Sequence, residues 1–188
     1  SHLPFGFWDL ALPGPDEYRL GILEGIVRAG ARSFCHWSRF LVAEVDGAPA
    51  AGLAGYDEPR VTLDELFPQA LWEGISSAGW TDRQAGALFQ RIDPFVSCAT
   101  HSEDDAWIVE WVATRPEHRG RGLVKQLLSS ILAEGERRGR RRAQVSVVIG
   151  NTAAQRAYEG AGFRVADEKT SEEFEATFGV PGMRRLFR

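Results

Sequence analysis

The sequence predicts an α/β fold with a mixed β-sheet flanked by helices. First, a strand over residues 106–114 is followed by a glycine-rich break and a strongly periodic helix. Second, a β-branched strand over residues 143–148 is followed by another helix and a short strand. Third, two strands over residues 40–56 are joined by Asp46-Gly47, a dipeptide typical of a tight hairpin turn. Strands alternating with helices favour a parallel sheet, and the hairpin adds antiparallel strands to it.

The first half of the chain is predicted to be helical on both sides of that hairpin. Proline and glycine make Leu3–Pro15 irregular, and Asp16 is a candidate cap for the helix that follows. Thr81 and Gln84 fit a capping box, and Pro94 should end the helix that begins there. The predicted elements are a helix over residues 18–28, strands over 40–45 and 50–56, and helical segments between 60 and 91.

The strand over residues 106–114 should be the central one. Its two alternating sets of side chains are both largely apolar, which is typical of a strand covered on both faces. This places Glu110 in an apolar setting, where a carboxylate needs either a partner or a function. The remaining predicted elements are a helix over 123–138, a strand over 143–148, a helix from Asn151 to about 161, and strands over 163–166 and 183–188.

Length and composition set limits on organisation and partners. The 188 residues favour one domain over 1–188, with residues 60–105 as a helical insertion over an acceptor site. The net charge of −4 gives no general attraction to nucleic acid or to an anionic membrane. The arginine run at 137–142 is interpreted as a solvated helix end. No apolar run approaches the roughly 20 residues of a membrane helix, and no secretory signal is visible, so we expect a cytoplasmic protein.

Cysteine and histidine are too sparse and too scattered for metal or disulfide chemistry. Cys35 and Cys98 do not form a disulfide framework and are interpreted as buried thiols. The four histidines show no metal-ligand spacing, so no metal site is predicted.

The segment Arg119-Gly120-Arg121-Gly122-Leu123 is the strongest candidate for chemistry. Its glycines let backbone N–H groups converge on a ligand, and the helix that follows presents the positive end of its dipole. The two arginines add charge, so the segment suits a phosphate or pyrophosphate. It matches neither the dinucleotide-binding fingerprint nor the P-loop, and a plain solvated helix entry is the alternative.

The context of this segment resembles a known family. Residues 112–123, Val-Ala-Thr-Arg-Pro-Glu-His-Arg-Gly-Arg-Gly-Leu, resemble motif A of the GNAT superfamily of acyl-CoA-dependent N-acetyltransferases. Residues 151–163 resemble motif B of the same family. The region of resemblance spans residues 106–163, about a third of the chain, and the resemblance implies a splayed central sheet and the use of acetyl-CoA.

The resemblance also implies roles for particular residues. The glycine-rich loop, here Arg119, Gly120, Arg121, Gly122, Leu123 and Val124, would bind the pyrophosphate of coenzyme A through main-chain amides. The preceding strand end, here Val112, Ala113 and Thr114, would offer backbone groups to the pantetheine arm. Asn151 would contact that arm from the other side, and Tyr158 would protonate the departing thiolate. Asn151, Ala154, Gln155 and Tyr158 share one helix face, which is compatible with a cofactor between the two strands.

Two residues are candidates for proton transfer. A neutral tyrosine can give a proton to a thiolate, so Tyr158 is the candidate acid, with a packing aromatic as the alternative. A lysine-like amine must lose a proton before it attacks, and Glu110 is the candidate base, since burial would raise its pKa. A structural carboxylate paired with an arginine is the alternative for Glu110.

The sequence departs from the family pattern in two places and leaves the acceptor open. No strand is evident upstream of Tyr18, and Glu117 stands where the motif often has Gln or Arg. Phe67, Trp72, Trp80 and Phe89 could shape an acceptor pocket or pack in a core. The predicted function is acetyl transfer to a primary amine in a ternary complex. A non-catalytic acyl-CoA-binding domain and an enzyme using a longer acyl chain or an oxygen nucleophile are the alternatives, and a homodimer stays open.

Overall fold

In the part of the chain that the structure describes, six strands form one open sheet, and its third strand is the one that the sequence places at the centre. The strands are β1 (Phe40–Val45), β2 (Ala48–Tyr56), β3 (Ala106–Thr114), β4 (Arg142–Val148), β5 (Arg164–Thr170) and β6 (Gly182–Phe187). Their order across the sheet is β1-β2-β3-β4-β6-β5. β2 pairs antiparallel with both β1 and β3, whereas β3 and β4 are parallel. The mixed sheet is therefore confirmed.

The computed structural model describes residues 6–57, 60–99, 103 and 105–188. Seven α-helices lie in these ranges: α1 (Phe7–Ala11), α2 (Asp16–Arg28), α3 (Arg60–Ser77), α4 (Asp82–Ser97), α5 (Leu123–Arg137), α6 (Thr152–Gly160) and α7 (Glu172–Phe178). The chain divides into a helical unit (Ser1–Trp37, Val61–Ala99, Lys169–Met183) and a sheet unit (Ser38–Arg60, Thr100–Glu168, Arg184–Arg188). That residues 1–188 act as one domain, with an insertion at 60–105, stays a prediction.

The N-terminal stretch is more regular than its proline content suggests. Residues 7–11 form the short helix α1, in which the Gly6 N–H donates to the Asp9 carboxylate at 2.6 Å. The Phe7 ring packs on Phe95 of α4 at 4.8 Å between ring centres, so apolar contact stabilises this turn. Asp16 is the first helical residue of α2 and not its cap, because Pro15 occupies the cap position. Proline holds φ at −60° here, a value that suits the residue before a helix.

Pro94 does not end its helix, contrary to the sequence prediction. The Thr81 capping box opens α4 as expected, but the helix continues through Pro94 to Ser97. Phe95, one residue beyond the proline, packs on Phe174 and Phe178 of α7, each at 6.0 Å between ring centres. These aromatic contacts offset the backbone hydrogen bond that proline cannot donate.

A β-bulge at Trp111 distorts the central strand. Glu110 lies opposite Ala54 and Ala113 lies opposite Gly52, so two residues of β3, Trp111 and Val112, face one residue of β2. Trp111 has φ +57°, the left-handed region that a tryptophan rarely adopts. The bulge reverses the alternation after Glu110, and Val112 therefore packs toward the core beneath α5. The two alternating sets predicted from the sequence are correct only as far as Glu110, because a period-two pattern does not reveal an inserted residue.

The sheet is splayed between its two parallel central strands. Pairing of β3 with β4 covers Ala106–Val109 and Arg142–Val145. Beyond these pairs, β3 continues to Thr114 and β4 to Val148, and within the described residues the two strand ends are no longer partners. A gap thus opens between them at the end of the sheet where α5 begins, as the family resemblance implies.

The core of the sheet unit lies between the sheet and α5. Trp107, Val109, Leu128 and Ile131 are almost fully buried there. Gly135 of α5 makes room for the indole, because a Cβ at this position would lie 2.6 Å from Trp107 Cγ. Gly135 is therefore a packing requirement and not a flexible point.

We expect Gly135→Ala to lower the free energy of unfolding by about 2 kcal/mol, the usual range for overpacking a core. The clash involves the base of the Trp107 side chain, which cannot swing away, and it outweighs the helix propensity that alanine gains. Gly160→Ala in α6 is the matched control, since its Cβ would meet nothing within 4 Å. Urea unfolding of both variants measures the difference, and equal stabilities would contradict the packing argument.

The arginine run at the end of α5 is largely paired with acidic groups. Arg137 and Arg138 contact Glu134 at 2.6 and 2.8 Å, and Arg140 contacts Asp57 at 3.4 Å. Arg142 lies 3.8 Å from Asp105. The pairing agrees with the interpretation of this run as a solvated edge. Cys35 and Cys98 are both buried, also as interpreted from the sequence.

Candidate functional site

The glycine-rich loop joins β3 to α5 and owes its shape to two left-handed glycines. Gly120 has φ +74° and Gly122 has φ +77°, and Gly122 is the N-cap of α5. A Cβ at either position would meet nothing within 4 Å, so the glycines are needed for the backbone conformation and not for space. The loop is exposed to solvent from Arg119 to Gly122.

The first turn of α5 offers backbone donors without a competing side chain. Gln126 N–H makes the first bond of the helix, to Gly122 O at 3.2 Å, so the amides of Leu123, Val124 and Lys125 precede the helical ladder. Gly122 has no side chain to cap them, and in this fully described first turn there is no acidic residue. These amides and the helix dipole together form a site for an anion.

The loop arginines differ in their surroundings. Arg121 Nη1 lies 3.0 Å from His118 Nδ1, in the short turn of residues 116–118 that precedes the loop. Arg119 is exposed, and its own N–H donates to Pro116 O at 3.3 Å. Arg119 therefore has the freer side chain with which to approach a bound diphosphate.

The end of β3 borders the gap in the sheet. Ala113 and Thr114 pair with Gly52 and Ala51 of β2, and on the other edge β3 has parted from β4 within the described residues. Val112 turns its side chain to the core, so its contribution to the gap is its backbone. Peptide groups along this edge can thus pair with an extended, amide-bearing ligand as a strand would.

Helix α6 carries the candidate residues from the second motif. The Asn151 side chain caps the helix, with Oδ1 accepting from Ala154 N–H at 3.2 Å, which leaves its amide nitrogen as a donor. Ala154 is half-buried against the core. Gln155 has another role, because its amide donates to Glu159 at 2.8 Å and accepts from Arg184 at 2.6 Å, fixing α6 to β6.

Tyr158 is buried, and burial raises the pKa of its hydroxyl to about 12. The side chain is 5% exposed and meets Phe163 edge-on at 6.3 Å between ring centres. It is therefore a packing residue, as the alternative interpretation has it, and packing does not prevent it from being a proton donor. With a pKa of about 12 the hydroxyl stays protonated at neutral pH and can serve as an acid but not as a base.

The raised pKa of Tyr158 predicts an alkaline loss of stability. Below pH 10 the tyrosine is protonated in both the folded and the unfolded chain. Between about pH 10 and 12 only the unfolded chain ionises, so the free energy of unfolding falls by up to about 3 kcal/mol. Denaturant unfolding of the wild type and of Tyr158→Phe from pH 9 to 11.5 measures the contribution of the Tyr158 hydroxyl. If the free energies of unfolding of the two proteins fall equally with pH, the prediction is wrong.

Glu110 lies immediately before the bulge in β3. It is half-buried and faces Ala54 across the antiparallel pair, on the sheet face opposite to Val109. The sequence predicts a carboxylate in an apolar setting at Glu110 but not the bulge beside it. Tryptophan rarely adopts a positive φ, so nothing in the sequence indicates the bulge, and only the structure shows that β3 changes direction after Glu110.

The described residues form neither a metal centre nor a membrane span. These residues contain no group of three or more His, Cys, Asp or Glu side chains that could hold a metal ion. Among them there is also no helix both long and apolar enough to cross a membrane.

Comparison with known proteins identifies the family. Residues 17–163 match the model of the acetyltransferase (GNAT) family. An N-acetyltransferase structure from Staphylococcus aureus Mu50 is 19% identical with a TM-score of 0.69, covering 96% of this chain and 88% of that one. A second acetyltransferase structure is 17% identical with a TM-score of 0.67, covering 99% and 85%. At these identities the two structures show the fold alone, and no curated protein sequence matches the chain.

The family match includes β3, the glycine loop, α5 and α6. It thus contains every residue that the two sequence motifs single out. The chain belongs to the acetyltransferase (GNAT) family.

Proposed function

We propose that this protein is an N-acetyltransferase that moves an acetyl group from acetyl-CoA to a primary amine by direct transfer in a ternary complex. The observation that carries the proposal is the first turn of α5. Two left-handed glycines hold the loop open there, and backbone amides point outward with no acidic residue in that turn. Such a site complements the anionic diphosphate of coenzyme A.

The donor chemistry of the sheet unit fits the rest of the cosubstrate. The amides of Leu123 and Val124, with the Arg119 guanidinium, would hold the diphosphate. The backbone of Val112, Ala113 and Thr114 and the Asn151 amide nitrogen would bind the amide-bearing pantetheine arm in the gap between β3 and β4. Gly120 and Arg121 complete the loop, and Ala154 leaves space on the α6 face. Together the loop, the strand end and the start of α6 supply backbone and side-chain donors, as a long polar ligand needs.

Acetyl-CoA supplies the acetyl thioester, and the chain supplies the proton transfers. Glu110 would take a proton from the ammonium of the acceptor, which frees the nitrogen lone pair for attack. As the N–C bond forms and the C–S bond breaks, the Tyr158 hydroxyl would donate a hydrogen bond to the departing sulfur as the acid of this step. The nitrogen loses its second proton when the tetrahedral intermediate collapses. Of the two protons that leave the nitrogen, one reaches the thiolate through solvent and the other is released, so Glu110 and Tyr158 end in the states in which they began.

The high pKa of Tyr158 limits what its hydroxyl can do in this step. A hydroxyl of pKa about 12 is a weaker acid than a thiol, whose pKa is about 8.5, so complete transfer of its proton to the thiolate is unfavourable. The hydroxyl therefore acts by hydrogen bonding to the sulfur while negative charge develops on it. This is stabilisation in the transition state, and it acts on kcat more than on binding.

The segment 60–105 would recognise the acceptor amine. Of the aromatic residues predicted to shape an acceptor pocket, Trp72 and Phe89 are about half exposed, at 49% and 48%. Phe67 instead stacks on Phe34 at 4.8 Å between ring centres. The exposed pair would offer apolar surface to an acceptor.

The proposal is tested by titration calorimetry with coenzyme A, followed by thiol release and mass spectrometry on a panel of amines. We expect heat with coenzyme A and a mass gain of one acetyl group on at least one amine. Binding without transfer to any acceptor would establish a non-catalytic acyl-CoA-binding domain. Transfer only to alcohols, or only from longer acyl donors, would correct the reaction, and no heat with folded protein would overturn the proposal.

A further inference from the structure

The helical unit contains a solvent-open groove of about 400 Å³ that the acetyl-transfer chemistry does not use. Its walls come from α2, α4 and the residues that lead into each helix. We propose that this groove binds a small aromatic carboxylate. The proposal does not rest on the function proposed above: the groove includes Trp80 of the segment 60–105, but none of its residues is proposed to bind acetyl-CoA or to move a proton.

One wall of the groove is apolar and flat. The rings of Tyr18 and Trp80 line it, and the indole N–H of Trp80 donates to the Tyr18 hydroxyl. This bond uses the polar ends of both rings and leaves their apolar surfaces to the groove. Pro13 and Ala87 extend the same wall. A flat apolar wall favours an aromatic ring over a branched or fully solvated ligand.

The polar lining of the groove consists of donors. The capping box satisfies the hydrogen bonds of the Thr81 hydroxyl, which lies 2.9 Å from Gln84 Oε1 and accepts from Gln84 N–H. The Gln84 carbonyl is occupied in the same box, so its amide nitrogen is the group left for a ligand. Arg83 is exposed, and neither Arg83 nor Arg91 forms an ion pair with a carboxylate among the described residues. Two guanidiniums without a counter-charge at one groove call for an anion.

Arg91 is held in place at the base of this lining. Its Nη2 donates to Ala11 O at 3.0 Å, and its guanidinium lies 5.9 Å from the centre of the Trp80 ring. Its Nε is buried and has no hydrogen-bond partner in the described part of the chain. Because Arg91 also lines the groove, it presents a fixed positive charge there.

The two arginines and the aromatic wall together favour a carboxylate attached to an aromatic ring. A planar guanidinium can bind a planar carboxylate with two parallel hydrogen bonds, and the ring of the ligand would lie against Trp80. A bare phosphate would use the charges but not the aromatic wall. The volume lies at the lower end of the range for small-molecule sites, which suits a one- or two-ring acid.

Calorimetry with 2-naphthoate on the full chain tests this site, with 2-naphthamide and inorganic phosphate as comparison probes. We expect naphthoate to bind at least tenfold more tightly than either. Arg83→Gln should weaken naphthoate binding about tenfold, the effect of losing one charge-assisted contact. Arg28→Gln is the matched control, because it removes an exposed arginine of the same unit that does not line the groove.

Each other result overturns a defined part of the proposal. Equal affinities for naphthoate and naphthamide would show that the arginines do not contribute to recognition. Equal affinities for phosphate and naphthoate would show that the aromatic wall does not contribute. Absence of heat with naphthoate at millimolar concentration, or an unchanged affinity in Arg83→Gln, would overturn the site itself. Thermal melts of both variants verify folding, which Arg83 is not expected to affect since it is exposed on the surface of α4.

Discussion

Replacing Tyr158 with phenylalanine is expected to lower kcat by about 10²-fold or more while leaving the affinity for coenzyme A unchanged. General acids contribute about 10²–10⁴-fold to enzymatic rates, and 10²-fold corresponds to about 2.7 kcal/mol in the barrier. Phenylalanine keeps the ring that packs edge-on against Phe163 and removes only the hydroxyl. The loss therefore falls on the chemical step and not on the fold.

The measurement separates this role from simple packing. Steady-state turnover with the best amine of the panel gives kcat, and calorimetry with coenzyme A gives the dissociation constant. Tyr56→Phe is the matched control, since Tyr56 is also a buried tyrosine of the sheet unit but lies on β2, outside the proposed machinery. We expect that control to keep its turnover within about twofold, because Tyr56 is not proposed to contact the cosubstrate or to move a proton. Full turnover in Tyr158→Phe would remove Tyr158 from the reaction and leave it a packing residue.

The sequence predicts most of the sheet unit because local patterns agree there with the tertiary structure. Strand β1 and the central strand β3 have the predicted bounds, and the glycine loop with α5 lies where the residue pattern places it. Gly122 is a good example, since its position at the start of a helix follows from the motif. Where propensity, turn chemistry and burial favour one structure, the sequence alone is informative.

The remaining features depend on contacts between distant residues. Pro94 is a helix breaker by local rules, and only the packing of Phe95 against α7 keeps α4 continuous. The bulge at Trp111 depends on the register with β2, in which Leu53 takes the place opposite two residues. The burial that gives Tyr158 its high pKa comes from the folded core and not from α6 alone. None of these features leaves a local signal in the sequence.

The chemical distinction between Tyr158 and Glu110 follows from their environments. Burial keeps Tyr158 protonated, so it can donate, while Glu110 is half-buried beside a bulge. Both side chains would act on a ligand held by the loop at the start of α5, and their proposed roles fail if that loop does not bind a diphosphate. The loop is therefore the place to test first.

Gly122→Asp is expected to weaken coenzyme A binding by about 100-fold, whereas Gly122→Asn should weaken it only a few-fold. Both residues tolerate a left-handed φ better than other side chains, and both can cap α5. Their shapes are nearly the same, so the difference between them reports charge. A carboxylate at the N-cap would lie within a few ångströms of the diphosphate, and like charges at that range cost about 3–4 kcal/mol at a protein surface before screening.

Calorimetry with coenzyme A at 50 mM and at 500 mM salt completes this test. If the difference in affinity between the two variants is electrostatic, salt screening must make that difference smaller. A stability measurement accompanies it. We expect Gly122→Asp to be at least as stable as Gly122→Asn, since an aspartate at the N-cap also favours the helix dipole. Equal affinities for the two variants would show that the diphosphate does not bind at the first turn of α5. In that case the proposed roles of the loop, of Glu110 and of Tyr158 would all lose their basis, since each depends on a cosubstrate held at this point.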